Sequence, residues 1–145
     1  RSIERYTHKR TVVEVQEINQ PELEAFLVGR NVAEQLERRV SFRRAMKMTA
    51  ERTMRAGAMG VKIMVSGRLG GREMARTAMQ LNGTVPLQTL DADIDYGFTE
   101  ARTAYGRVGV KAWVHRGSAL ANESELLSET AASPRTGRRR APRSE

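Results

Sequence analysis

Five cationic side chains are concentrated within ten residues of this 145-residue chain. They are Arg38, Arg39, Arg43, Arg44 and Lys47. No acidic residue occurs between Arg38 and Ala50, whereas ordinary solvated helices mix acids with bases. A row of fixed cations matches a polyanion, and nucleic acid is the commonest one. We therefore predict that this run contacts nucleic-acid phosphates, with a merely solvated face as the alternative.

An amphipathic helix would hold these cations in place. Apolar and small residues recur at three- and four-residue spacing from Phe42 to Met54, while the cations fall on another side. Ser41 is a favourable N-cap residue, and Gly57 is a plausible helix stop. The pattern predicts a helix from about Ser41 to Arg55 with one core face and one basic face.

A second group of cations surrounds the glycine-rich loop Ser66–Gly71. It consists of Arg68, Arg72 and Arg76. Residues 72–81 read as a short helix that ends at Asn82 and Gly83. The loop then has two equally supported interpretations: backbone amides approach phosphate at a helix start, or the glycines form a tight turn that needs positive φ.

Two GxxG patterns, Gly57–Gly60 and Gly67–Gly70, match the element with which KH domains clamp a nucleic-acid backbone. A KH clamp joins two helices. Here the first pattern joins a predicted helix to a strand, and the second joins a strand to a predicted helix. We therefore expect neither to be a KH clamp.

Residues suited to catalysis or metal binding are few. The chain has no cysteine and two histidines, His8 and His115, which lie far apart in sequence. Asp91, Asp93 and Asp95 alternate, but the glycine and glutamate that a calcium-binding EF-hand loop requires are absent. We predict no enzyme, no metal site and no cofactor. The alternatives for these acids are a solvated strand face paired with arginines and, least favoured, a metal-dependent enzyme using Asp93 and Asp95.

The remaining pattern predicts an α+β fold, a small mixed or antiparallel sheet with helices packed on one face. Strands are expected at about 11–15, 61–65, 91–104 and 108–115, and a further helix begins near Pro21. Tyr96, Tyr105 and Trp113 could stack on bases, but packing at the sheet is the favoured interpretation. The Pro-, Ser- and Arg-rich residues 133–145 are expected to be a disordered basic tail.

The net charge of +8 and the pI near 10.7 favour anionic partners. No apolar run approaches the roughly 18 residues that a membrane span needs, and no secretory signal is visible, so no membrane partner is expected. The chain opens at Arg1 without an initiator Met, and we expect it to be part of a longer product.

Several runs together resemble the bacterial-type small-subunit ribosomal protein S3 family. They are Gln35–Lys47, Val65–Gly71, Ala92–Tyr96 and Tyr105–Trp113. The runs occur in family order and spacing, and the similarity extends from about Thr11 to Gly117. The resemblance implies a structural constituent of the small-subunit head in cytoplasmic ribosomes, with an organelle ribosome left open. Its implied partners are rRNA, mRNA and neighbouring head proteins.

The resemblance also implies roles and boundaries. The basic helix of the family lies where mRNA enters and is associated with holding and unwinding it. The family's KH clamp would precede Thr11, so its clamp-bearing half is missing here. We expect residues 1–37 to be the C-terminal part of a KH-like module, 38–117 the family's C-terminal α+β domain, and 118–145 the tail. The alternative function is a free-standing, sequence-independent RNA-binding regulator or chaperone.

Overall fold

The computed structural model describes Tyr6 and residues 8–119. Its helices are α1 (Ala25–Glu37) and α2 (Phe42–Arg55), and its strands are β1 (Gly60–Gly67), β2 (Arg76–Gly83), β3 (Ala92–Thr103) and β4 (Gly106–Ser118). Single turns of 3-10 helix occur at Pro21–Leu23 and Leu69–Gly71. The predicted α+β class is confirmed.

The strands form one antiparallel sheet in the order β2-β1-β4-β3. Alternate residues of β1 and β4 are buried, as expected for a sheet that is covered on one face. Val61, Ile63 and Val65 face Val110, Ala112 and Val114 in the core. The predicted apolar side of β4 is therefore confirmed.

Both helices pack on the same face of the sheet. Helix α1 covers β3 and β4, while α2 covers β1 and β2. The buried residues Val28 and Val32 of α1 and Met46 and Ala50 of α2 belong to one hydrophobic core with the strands. Neither helix in the described part of the chain is long and apolar enough to span a membrane.

Glycine permits the close contact between α1 and the sheet. A Cβ atom at Gly97 in β3 would overlap the backbone of Ala25 and Phe26 at the start of α1. The Asp95 carboxylate accepts the Ala25 N–H at 2.7 Å and also pairs with Arg116 at 2.8 Å. These contacts fix the start of α1 against the two strands beneath it.

The helix predicted over residues 72–81 is wrong. Residues 76–83 form β2 and pair with β1 along their whole length. Ala, Met, Gln and Leu are good helix formers, but cross-strand pairing overrides this weak local preference.

The strand predicted at Thr11–Val15 is also wrong, because these residues have no partner strand in the described part of the chain. A strand needs a neighbour to satisfy its backbone groups. Val12, Val13 and Val15 are all exposed.

Some predictions lie partly or wholly outside the described residues. Residues 120–145, which contain most of the predicted tail, lie outside them, as do residues 1–5 and 7 of the predicted KH-like module. The tail was predicted to begin at residue 118, but Ser118 ends β4, and the Ala119 N–H donates to the Asp91 carbonyl at 2.8 Å.

Candidate nucleic-acid interface

Helix α2 has the two faces that its sequence predicts. Ala45, Met46, Thr49 and Ala50 are buried beneath it. Arg43, Arg44 and Lys47 are exposed on other sides of the same helix. A packed core therefore fixes the rod on which three of the predicted cations stand. Ser41 precedes α2 as predicted, but its side chain makes no capping hydrogen bond.

Arg38 and Arg39 lie in the short link between the two helices. The Arg38 N–H donates to the Glu34 carbonyl, and the Arg39 N–H donates to the Leu36 carbonyl. These two hydrogen bonds close the end of α1. Arg39 adopts φ +62°, a left-handed conformation that is uncommon for a residue with a side chain. This sharp turn brings both exposed arginines to the end of α2 that carries Arg43 and Arg44.

The ring of Phe42 brings two of the predicted groups together. The guanidinium carbon of Arg43 lies 5.8 Å from the ring centroid, and that of Arg76 lies 5.1 Å from it. Each contact is of cation–π type, worth about 0.5–1 kcal/mol at an exposed site. The structure thus places Arg76 of β2 beside the first turn of α2. Sequence reasoning had linked Arg76 only to the glycine-rich loop.

Arg68 has a role that the sequence did not indicate. Its Nε donates to the Arg72 carbonyl at 3.0 Å, one terminal nitrogen donates to the Tyr105 carbonyl at 3.4 Å, and its guanidinium lies 5.4 Å from the Tyr105 ring. Arg68 therefore joins the loop to the β3–β4 turn. The Arg72 side chain is exposed.

A cleft of about 550 Å³ lies between these parts. Arg39, Phe42 and Arg68 line it together with Arg102 and Tyr105. Sequence reasoning placed neither Arg102 nor Tyr105 near the predicted cations, because that contact depends on how the β3–β4 turn meets the loop after β1. From the sequence, Arg102 could be recognised only as a positive charge, without its place in the cleft.

Within the part of the chain that the structure describes, no acid neutralises the predicted cations. None of the eight forms an ion pair within residues 8–119, whereas Arg30, Arg107 and Arg116 each pair with a glutamate. Seven of the eight side chains are exposed to solvent, and Arg68 is engaged by the Arg72 and Tyr105 carbonyls. Arg38, Arg39, Arg43, Arg44, Lys47 and Arg76 occupy the region around the start of α2, with Arg68 and Arg72 on the adjoining loop.

The glycine-rich loop behaves as a tight turn. Gly67, Gly70 and Gly71 have φ of +140°, +69° and +77°, a range that favours glycine. The competing interpretation needed a helix start at Arg72, and no helix follows there. Gly57–Gly60 joins α2 to β1, so this pattern does not have the helix-to-helix setting of a KH clamp.

Within the described residues, Asp91, Asp95 and His115 are engaged in contacts that hold the fold. Asp95 is engaged by Ala25 and Arg116, as described above, and Asp91 accepts a hydrogen bond from Ser118 at 2.9 Å. His115 is buried, and its Nδ1 lies 2.9 Å from the Thr84 carbonyl. No group of three His, Asp or Glu side chains in the described residues is placed to hold a metal.

The family model and the individual relatives that match this chain all belong to one family of known proteins. The family model described as "Ribosomal protein S3, C-terminal domain" matches residues 32–114. Proteins named "Small ribosomal subunit protein uS3" are 54% identical in Syntrophomonas wolfei, 58% in Lachnoclostridium phytofermentans and 52% in Alkaliphilus metalliredigens. These matches cover 85%, 81% and 97% of this chain but 54%, 54% and 61% of the relatives. The chain thus spans little more than half the length of these relatives.

Proposed function

Because the chain belongs to the ribosomal protein S3 family, matching its C-terminal domain, we propose that it is a structural, RNA-binding constituent of the small ribosomal subunit. Its relatives are named as proteins of that subunit. The proposed partners are small-subunit rRNA and neighbouring proteins of the subunit head, in cytoplasmic ribosomes. No catalytic role is proposed.

The observation that carries this proposal is the unpaired positive charge around the start of α2. Arg43, Arg44 and Lys47 are exposed, and no acid among the described residues pairs with them. Phosphate contacts by such groups are independent of base sequence and sensitive to salt. A rigid helix held by a packed core keeps the charges at fixed spacing, which lowers the entropy lost on binding.

At finer detail, we propose that this basic surface lines the path by which mRNA enters the small subunit. Cations on a rigid helix can hold a single strand and disfavour re-pairing without hydrolysing a nucleotide. Arg76, brought beside Arg43 by Phe42, extends the same surface from α2 onto β2.

We also propose a revised boundary for the folded unit. The sequence-based division placed residues 25–37 in a KH-like module. Yet α1 shares its core with the sheet, and Asp95 and Arg116 hold its start. A unit that begins near Pro21 accounts for these contacts. The KH-like module upstream of it and the basic tail remain predictions.

Sedimentation in bacterial extract tests the proposal. The tagged chain should migrate with small subunits, and an Arg43→Ala/Arg44→Ala/Lys47→Ala variant should shift towards the light fractions. Arg30→Ala/Arg107→Ala removes exposed cations that already pair with acids, so it should still co-migrate. If the unaltered chain binds RNA but remains in light fractions, the free-standing regulator is favoured and the ribosomal assignment fails.

A further inference from the structure

The face of the sheet opposite the helices carries an ordered set of large side chains. Residues directly opposite each other on the four strands form two rows across it. The first row is Tyr96, Trp113, Lys62 and Leu81, and the second is Phe98, Lys111, Met64 and Met79. Side chains alternate between faces along a strand, and neighbouring Gly97 and Thr99 are buried under α1, so both rows point away from the helices.

The aromatic members of the rows make up an aromatic platform, in which Tyr96 and Trp113 are in contact and Phe98 stands in the next row. The ring centroids of Tyr96 and Trp113 lie 5.3 Å apart, with the ring planes tilted by 46°. Phe98 reaches across to β4, since a Cβ atom at Gly109 would lie 3.4 Å from its Cε2. Tyr96 is 51% exposed and Phe98 is 46% exposed, so each ring retains an accessible surface.

Two lysines stand among these rings. Lys62 places its Nζ 5.0 Å from the Trp113 ring centroid, and Lys111 lies directly opposite Phe98. Neither row contains an acidic residue, and neither lysine forms an ion pair within the described residues. In the next row, Glu100 is already paired with Arg107. The platform is therefore aromatic and positively charged.

We propose that this face, defined by Tyr96, Phe98, Trp113, Lys62 and Lys111, binds single-stranded RNA by base stacking. It would be a second RNA contact, separate from the basic helix and on the other side of the sheet. Aromatic rings interleaved with cations suit a single strand, because every base has a flat face and every nucleotide a phosphate.

The spacing of Tyr96 and Phe98 along β3 favours a single strand over a duplex. Tyr96 and Phe98 are two residues apart on β3, which separates their Cα atoms by about 6.8 Å along an extended strand. Stacked bases in a duplex rise by about 3.4 Å. Each ring can therefore hold one base of an extended strand, while Lys62 and Lys111 lie beside the rings at positions where phosphates could pass.

A protein partner is the competing occupant, since Met64, Met79 and Leu81 add apolar surface at the β2 side. Lys62 and Lys111, which pair with no acid in the described residues, favour RNA. A protein would have to supply carboxylates to both of them within an otherwise apolar contact, because an unpaired buried charge is costly. RNA supplies a phosphate with every base that stacks.

Trp113 provides a direct test because it is the single tryptophan of the chain. An oligouridylate of eight nucleotides should quench the fluorescence of Trp113, whereas an abasic oligomer of the same length should not. Phe98→Ala should weaken binding measured by this signal about 5- to 150-fold. Phe98→Tyr should retain it. Phe26→Ala is the matched control, because Phe26 is 51% exposed but lies on α1.

The helix variant Arg43→Ala/Arg44→Ala/Lys47→Ala separates the two RNA surfaces. Its overall affinity should fall, but quenching at saturating RNA should persist. Circular dichroism would establish that each variant is folded. The proposal is overturned if RNA leaves Trp113 unquenched, if the abasic oligomer quenches equally, or if folded Phe98→Ala binds like Phe26→Ala. Self-association that Phe98→Ala abolishes, without RNA quenching, would instead assign the face to protein contact.

Discussion

The salt dependence of RNA binding gives a quantitative test of the basic helix. Arg43 and Arg44 are exposed and form no ion pair within residues 8–119, so each can neutralise one phosphate. For single strands, each neutralised phosphate contributes about 0.7 to the slope of log affinity against log salt. Arg43→Ala/Arg44→Ala should therefore reduce the slope by about 1.4, and adding Lys47→Ala should remove about 0.7 more.

This slope has a direct consequence for affinity. From 50 to 200 mM salt, a difference of about 2 in slope corresponds to a roughly 20-fold difference in how much binding is lost. Between 50 and 200 mM salt, the affinity of the unaltered chain for RNA should therefore fall about 20-fold more than that of the triple variant. Fluorescence anisotropy of a labelled oligouridylate, measured at five or six salt concentrations, gives both slopes.

The matched control is Arg30→Ala/Arg107→Ala, which lowers the net charge from +8 to +6 as the Arg43/Arg44 pair does. Arg30 and Arg107 already pair with Glu34 and Glu100. The control slope should stay close to that of the unaltered chain. If both double variants show the same slope, binding follows total charge alone, and the assignment of phosphate contacts to α2 is refuted.

Two further predictions concern the stability of the scaffold, measured as the free energy of unfolding in urea. Gly97→Ala should destabilise the fold by about 1–3 kcal/mol, because its Cβ would overlap the backbone at the start of α1. Gly109→Ala is the control, because its Cβ meets only ordinary contacts and should not destabilise the fold in this way. Equal losses in the two variants would contradict the close-contact argument. Asp95→Ala should cost about 1.5–3 kcal/mol by removing the acceptor of Ala25 and a partner of Arg116, whereas Asp91→Ala at an exposed site should cost clearly less. An Asp95→Ala variant as stable as Asp91→Ala would remove the carboxylate from this role.

The elements that follow strong hydrophobic periodicity could be predicted from the sequence. Helix α2 and the buried side of β4 are examples, because their own residues determine which face is apolar. Residues 76–83 could not be assigned this way, since their strand conformation comes from pairing with β1 rather than from helix-forming Ala78 and Leu81. The opposite error at Val12 and Val13 has the same origin: a β-branched run is not a strand without a neighbour.

The candidate site shows a similar division. The cations of α2 are visible from composition and spacing alone. The approach of Arg76 to Phe42 and the place of Arg102 and Tyr105 in the cleft depend on contacts between segments distant in sequence. No local pattern encodes those contacts.

The strand order β2-β1-β4-β3 has a consequence for how the chain folds. β1 with β2 and β3 with β4 are neighbours in sequence, but β1 and β4 join residues as far apart as Gly60 and His115. Closing so long a loop has a high entropic cost. Each sequence-adjacent strand pair can therefore form early, with α2 available to cover β1 and β2, whereas α1 reaches β3 and β4 only by closing a still longer loop, from Ala25 to Asp95. The β1–β4 seam and the docking of α1 are then the last parts to assemble, and the basic helix belongs to the half that can form before them.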